Sequence, residues 1–183
     1  MKQIIVTIIL TTVVLFAGFF IYIYSGAYDI SQLTPHNSFT KKIIGITTHN
    51  SINKRLKDIV VPANLTDTVL IVSGFKSYNQ MCVGCHNAPG LPDNKFVEGW
   101  YPKPPELYKY VKDDDAREFF WITKYGIKMT SMPAFKPTQE DDKLWAVTAF
   151  VTQKLGKMSP AEYSTWSKKY AEENKNNKTN HPE

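Results

Sequence analysis

The sequence predicts an all-α protein, a small helical domain preceded by one long apolar helix. Three observations carry that prediction. A nearly unbroken apolar run fills Ile4 to Tyr24. Behind it, apolar residues recur at three- and four-residue steps, and no alternating strand pattern rises above noise. The only two cysteines stand in Cys82-Val83-Gly84-Cys85-His86, a spacing that one helical turn can present together.

The first element is residues 1–24. Its apolar run is about twenty residues, close to bilayer thickness as a helix. Thr7, Thr11 and Thr12 can return their hydroxyls to the helix backbone, and Tyr22 and Tyr24 fall where an aromatic interface belt would lie. A cleaved signal peptide is the alternative, with Ser25-Gly26-Ala27 as its small-residue site, but the run is about twice the usual signal length. An uncleaved signal anchor is therefore expected. With no cysteine nearby, a lipid-modified N-terminus is excluded. Lys2 keeps the N-terminus inside, so the remainder is sent across a membrane.

Residues 25–65 read as a connector bracketed by Pro35 and Pro62. Phe39, Ile43 and Ile46, then Ile52, Leu56 and Ile59, suggest short amphipathic helices. Their stripe can pack on the following domain, lie on a membrane or meet a partner, and packing is the expectation. His36 and His49 read as ordinary polar or hydrogen-bonded histidines.

The globular part spans residues 66–158, a single-domain size. Its first helix is predicted from about Asp67 towards Cys82, with Val69, Leu70, Val72 and Phe75 apolar and Gly74 and Tyr78 sharing a face. Asn87 to Pro92 and Trp100 to Pro105 are turn-rich loops. Asp113 to Asp115 place negative charge at the start of a second helix, Ala116 to Tyr125, which Gly126 stops. A third is capped by Thr138, with Asp141 in an approximate capping box. Leu144, Trp145, Thr148, Ala149 and Val151 form its buried face, and Gly156 ends it. Residues 159–183 read as a short helix from Ser159 and, from Asn174, a disordered polar tail.

Net charge is +5. The excess sits in Lys41 to Lys57 and Lys168 to Lys178, while acids and bases nearly balance between Thr66 and Lys157. That distribution argues against a nucleic-acid partner; the basic segment just outside the membrane can touch anionic lipid headgroups, but a solvated helix face is the preferred reading.

Cys-x-x-Cys-His is the pattern of covalent haem attachment. Each thiol can form a thioether to one vinyl group, and His86 then lies under the iron as proximal ligand. A redox dithiol would need a βαβ context that is absent. A zinc site would need further Cys or His ligands at finger-like spacing, and a disulfide between cysteines so close on one helix is sterically poor. One covalently attached haem c is the cofactor expected. Its attachment on the outer side of a bacterial cytoplasmic membrane agrees with an exported domain.

A sixth iron ligand is sought among Met129, Met132, Met158 and His181. Pro133 holds Met132 in extended backbone, which suits a side chain reaching across a crevice, so Met132 is preferred. Met129 lies nearer the helix and can simply fill the core, while Met158 follows the terminal helix and His181 lies in the tail.

Gly74-x-x-x-Tyr78, the Cys82–His86 motif, Ala88-Pro89-Gly90, Pro102-Lys103-Pro104-Pro105, Met132-Pro133-Ala134-Phe135 and the Leu144 to Phe150 helix together resemble a class I c-type cytochrome. More closely, the chain is similar to bacterial membrane-anchored monohaem cytochromes. That similarity covers most of residues 1–158, including Ser25-Gly-x-Tyr28-Asp29 and Pro35-His36. The resemblance implies a small cytochrome c-type helical domain around one covalent haem. Cys82 and Cys85 would be its thioether residues and His86 and Met132 the axial ligands. It places Gly74 and Tyr78 against Trp145 and Ala149 at a helix crossing and offers the Pro89 carbonyl as one partner for the His86 ring nitrogen. It puts Trp121, Ile122 and Tyr125 along the haem, with Tyr101 and Lys103 at its propionates or on a solvated loop face. Asn87 departs from it, standing where many relatives carry glycine.

The function so implied is electron transfer rather than enzymatic catalysis. Iron would cycle between ferrous and ferric in a closed six-coordinate site, with no small-molecule substrate. The chain would be a single-pass protein of the cytoplasmic membrane with its haem domain on the periplasmic side. Its partners would be that membrane and redox proteins: a respiratory donor complex and a terminal reductase or oxidase. The alternatives are a haem subunit through which electrons enter a larger oxidoreductase complex, and a haem enzyme or gas sensor with a labile methionine.

Overall fold

Asp67 begins the domain's first helix by accepting a 2.7 Å hydrogen bond from the Val69 amide, which satisfies one of the free donors at the helix start. In the computed structural model, residues 1–111 and 116–180 are described. Eight α-helices are found among the described residues: α1 Lys2–Tyr24, α2 Ser38–Arg55, α3 Thr68–Met81, α4 Val83–His86, α5 Leu107–Tyr110, α6 Ala116–Tyr125, α7 Asp141–Gln153 and α8 Pro160–Asn180. No strand occurs among these residues. The chain divides into two units, Met1–Pro35 and His36–Glu183.

In the first unit, α1 is long and apolar enough to cross a membrane, with none of its window buried inside the protein. Thr7 and Thr12 return their hydroxyls to the carbonyls of Gln3 and Ile8. Their polarity is thereby absorbed within the helix itself.

In the second unit, the connector forms one 18-residue helix rather than several short ones. Asn37 caps it by accepting from the Thr40 amide at 2.8 Å, and a 3-10 turn at Leu56–Asp58 follows. Of α2 only Ile52 is buried, so the expected packing on the domain is confined to its C-terminal end. His49 bonds Asn53 at 2.8 Å, and His36 packs edge-on against Tyr101 at 5.4 Å.

The core is the crossing of α3 with α7. A Cβ on Gly74 would fall 1.8 Å from the Ala146 carbonyl oxygen and 2.8 Å from Phe150 Cβ, so only glycine permits this approach. The expected partners, Trp145 and Ala149, belong to the neighbouring stripe of α7. Trp145 stacks on Phe120 of α6 at 3.8 Å and 7°, and Ala149 joins Leu65 and Ala116. α7 is buried on nearly every side because α3 and α6 flank it. Consecutive residues Ala146 to Thr152 are therefore inside, more than the single face its periodicity suggests.

Two helix ends differ from expectation. α7 starts at Asp141 after Glu140, and Thr138 does not cap it. Thr138 and Gln139 instead close a turn on the Phe135 carbonyl, while Asp141 pairs with Lys124 at 2.6 Å. Gly156 lies in a 3-10 turn, Leu155–Lys157, beyond the end of α7. Val69, one of the apolar positions expected of α3, is exposed. α8 docks Tyr163, Trp166 and Tyr170 around Phe75 at 5.4–5.6 Å. It is longer than the short helix expected, and its backbone stays helical past Asn174, where the sequence reads as disordered. The acidic run Asp113 to Asp115 and His181 lie outside the described residues.

Candidate functional site

α3 ends at Met81 and hands the chain to the one-turn α4, so Cys82, Cys85 and His86 follow the core crossing directly. The amides of Cys85 and His86 both bond the Cys82 carbonyl, at 3.0 and 2.9 Å. Local backbone geometry thus sets the relative placement of the three side chains.

They line a cavity of about 510 Å³ whose wall is mainly apolar: Trp100, Leu107, Val111, Phe119, Ile122, Ile127 and Phe135. That volume lies within the roughly 300–1,000 Å³ of small-molecule and cofactor sites. α6 presents Phe119, Ile122 and Thr123 to it, one face at helical spacing, and turns Ala116 and Phe120 towards α7. Trp121 and Tyr125, expected on this wall, lie off it, ring against ring at 5.3 Å. Lys103 lines the cavity, while Tyr101 packs on His36. A second, more polar cleft of about 540 Å³ shares Cys85 and Lys103 to Pro105 but is not lined by His86 or Met132.

Met132 lines the same cavity as the cysteines and His86. Gly126 makes this possible in two ways. At φ 68 it stops α6, and a Cβ there would fall 2.7–2.8 Å from the backbone of Met132, Pro133 and Ala134. The loop folds back along the helix end, where the amides of Ile127, Phe135 and Lys136 bond the carbonyls of Met132, Thr123 and Lys124. The Thr130 hydroxyl accepts from the Met132 amide at 3.1 Å. Met129 sits at φ 61 with 94% of its surface exposed, and Met158 is buried in the core. Met81 also lines the cavity, next in sequence to Cys82.

The His86 ring is held from the loop opposite in sequence. Its Nδ1 lies 2.8 Å from the Pro105 carbonyl oxygen, not the Pro89 carbonyl. A carbonyl only accepts, so Nδ1 carries the hydrogen and Nε2 keeps its lone pair. Burial lowers the His86 pKa below its ordinary value, against the raising effect of the Pro105 bond, which favours the neutral, donor-competent ring.

Asn87 reinforces this arrangement. It adopts φ 57 and ψ −175, a positive-φ extended conformation that favours glycine, so the loop keeps the shape a glycine would take. Its Nδ2 donates to Glu106 Oε1 at 3.1 Å and to the Pro92 carbonyl at 3.3 Å, while Oδ1 accepts from the Ala88 amide at 2.9 Å. Its main-chain carbonyl accepts from the Tyr78 hydroxyl at 2.7 Å. Glu106 is also bonded by Lys109, which holds its carboxyl below the usual range.

Both thiols are free. Burial, with a smaller effect from Cys85, pushes Cys82 up to about 12, and burial raises Cys85 as well. Such thiols are mostly protonated at neutral pH, unlike the low-pKa thiolates of dithiol redox catalysts. No cluster of three or more His, Cys, Asp or Glu residues suited to a metal ion occurs among the described residues. Thr123 Oγ1, buried in the cavity wall, has no protein hydrogen-bond partner. A mainly apolar cavity lined by a fixed imidazole, two thiols and a thioether fits a large, mainly apolar group.

Sequence reasoning missed Pro105, Thr123 and the Asn87–Glu106 pair. Only the proline-rich run marked the first, and nothing local marks a contact nineteen residues away.

Residues 70–151 match the family model described as cytochrome c oxidase, cbb3-type, subunit III. No curated protein and no solved structure matches the chain. The matched stretch contains most of α3, the whole Cys82–His86 turn, the Met132 loop and most of α7. Residues 70–151 are thus a c-type cytochrome domain, with the haem binding and electron transfer that this implies.

Proposed function

We propose that the chain is a membrane-tethered monohaem cytochrome carrying single electrons between respiratory complexes on the periplasmic side. The observation that carries this reading is the single cavity lined by Cys82, Cys85, His86 and Met132. Cys82 and Cys85 would hold the haem through two thioether bonds, and His86 and Met132 would supply the axial donors. Bound there, the haem supplies a one-electron ferrous–ferric couple. His86, oriented by Pro105, presents Nε2; Met132 presents a soft sulfur that favours the reduced state. The apolar wall excludes water and disfavours added charge, which pushes the potential up. With His86 and Met132 both holding the iron, no coordination site would remain open for a substrate. α1, as an uncleaved anchor, would confine the domain near its partners and turn their encounter into a lateral search.

The matched family description favours a second reading, a haem subunit through which electrons enter a larger oxidoreductase complex. Extraction in mild detergent separates the two. A lone haem protein that exchanges electrons rapidly supports the carrier, and stoichiometric co-purification with other subunits supports the complex. For the site itself, haem that stays with the polypeptide after denaturation, with a thioether-ligated absorption spectrum, is expected. A mature protein without bound tetrapyrrole would overturn both readings.

A further inference from the structure

The N-terminal half of α2 carries an apolar stripe that the domain does not cover. Phe39, Ile43 and Ile46 are exposed and lie within about 60° of arc on the helix. Thr48, Ser51 and Ile52, the side of α2 that packs, lie on the opposite face. The stripe therefore faces away from the domain, so what covers it comes from outside the folded unit.

Its surroundings select the occupant. Lys42 and Lys54 flank the stripe on either side, and α2 has Lys41 and Arg55 in addition and no carboxylate anywhere. Apolar residues bordered by long cationic side chains suit the headgroup boundary of an anionic bilayer, where the stems bury and the ammonium groups reach phosphates. Residues 25–37 separate α1 from α2, a reach of at most about 45 Å when fully extended. A chain anchored through α1 thus cannot carry α2 far from the lipid surface. We propose that α2 is an interfacial helix whose Phe39–Ile43–Ile46 stripe rests on anionic lipid, giving the cytochrome domain a second membrane contact. This rests on reading α1 as an uncleaved anchor, and it adds a restriction on how the domain can turn above the membrane.

The test uses the full-length holoprotein in nanodiscs of phosphatidylglycerol, with a nitroxide on Ile43→Cys or, as control, Thr48→Cys. The unsubstituted holoprotein must take no label, since Cys82 and Cys85 are consumed in thioethers. Expected is a label at position 43 relaxed by oxygen and shielded from a water-soluble nickel chelate, an asymmetry lost in phosphatidylcholine when Lys42 and Lys54 are both changed to Gln. A protein that co-migrates with the discs while position 43 stays open to nickel overturns the proposal and leaves the anchor standing. Shielding from both reagents assigns the stripe to a protein partner or a second copy and also overturns it. Failure to co-migrate with the discs removes the anchor reading and this proposal with it.

Discussion

Asn87 Nδ2 donates to Glu106 Oε1 at 3.1 Å, one residue along from the 2.8 Å bond between His86 Nδ1 and the Pro105 carbonyl. Two consecutive residues at the end of the Cys-x-x-Cys-His turn thus grip two consecutive residues of the proline-rich loop. The Asn87–Glu106 bond ties the two segments together beside the ring, which keeps the Pro105 carbonyl within reach of His86 Nδ1.

Breaking that grip should be visible at the iron. A hydrogen bond to Nδ1–H makes the imidazole a stronger donor and favours the ferric state. Glu106→Ala and Asn87→Gly should loosen it and raise the midpoint potential, with an altered ferric EPR spectrum as the ring reorients. Glu106→Gln keeps an acceptor for Asn87 and should stay near the parent. Unchanged potential and EPR in Glu106→Ala would show the pair to be merely structural.

The three downstream methionines should separate cleanly. Met132→Ala should lower the potential and let the reduced protein bind carbon monoxide at neutral pH. Met129→Ala, at an exposed position, should change neither property. Met158→Ala should leave the spectrum intact and cost about 2–5 kcal/mol of stability, as for a buried methionine. Carbon monoxide binding by the unsubstituted reduced protein would show that the site is not closed.

Gly74 should tolerate no side chain. The Cβ of Gly74→Ala would fall 1.8 Å from the Ala146 carbonyl oxygen, so the crossing helices must separate. A loss of roughly 1–3 kcal/mol or more is expected from such overpacking, read as a lower denaturant midpoint. Tyr78→Phe removes only the 2.7 Å bond to the Asn87 carbonyl and should cost about 1 kcal/mol.

Before haem attachment, the thiols give a pH signature. Burial holds Cys82 up at about 12, against an ordinary value of 9.0, and raises Cys85 too. An acid whose folded pKa is raised stabilises the fold below its unfolded pKa, and that stability is lost as pH rises through the folded value. The haem-free chain should therefore lose stability progressively above about pH 9. Iodoacetamide at pH 8.5 should modify Cys85 before Cys82, with peptide mapping giving the order; the reverse order would contradict the burial of Cys82.

Several elements were legible because their signals are local. Asp67 and Gly126 bracket α3 and α6 as a cap and a stop, and the apolar run of residues 4–24 is α1 with Lys2 and Gln3 added. Asn87 was legible only as a departure, since its positive-φ conformation is seen once the loop is closed. Thr138 misled because its capping-box spacing is real, yet its turn had already been taken by the Phe135 carbonyl. Trp145 misled for a different reason. Helical periodicity marks an apolar stripe but not its neighbour, and α7 has a neighbour on more than one side.

The sequence by itself determined the all-α class, the Cys-x-x-Cys-His turn and a short set of candidate iron ligands. Those depend on spacing within one or two helical turns, where covalent geometry leaves few choices. Tertiary structure decided that Pro105 holds His86, that Met132 rather than Met129 or Met158 shares its cavity, and that Gly74 meets Ala146 and Phe150. Those contacts join residues far apart along the chain, and their partners are chosen by how closely two helices approach and where the connecting loops must close.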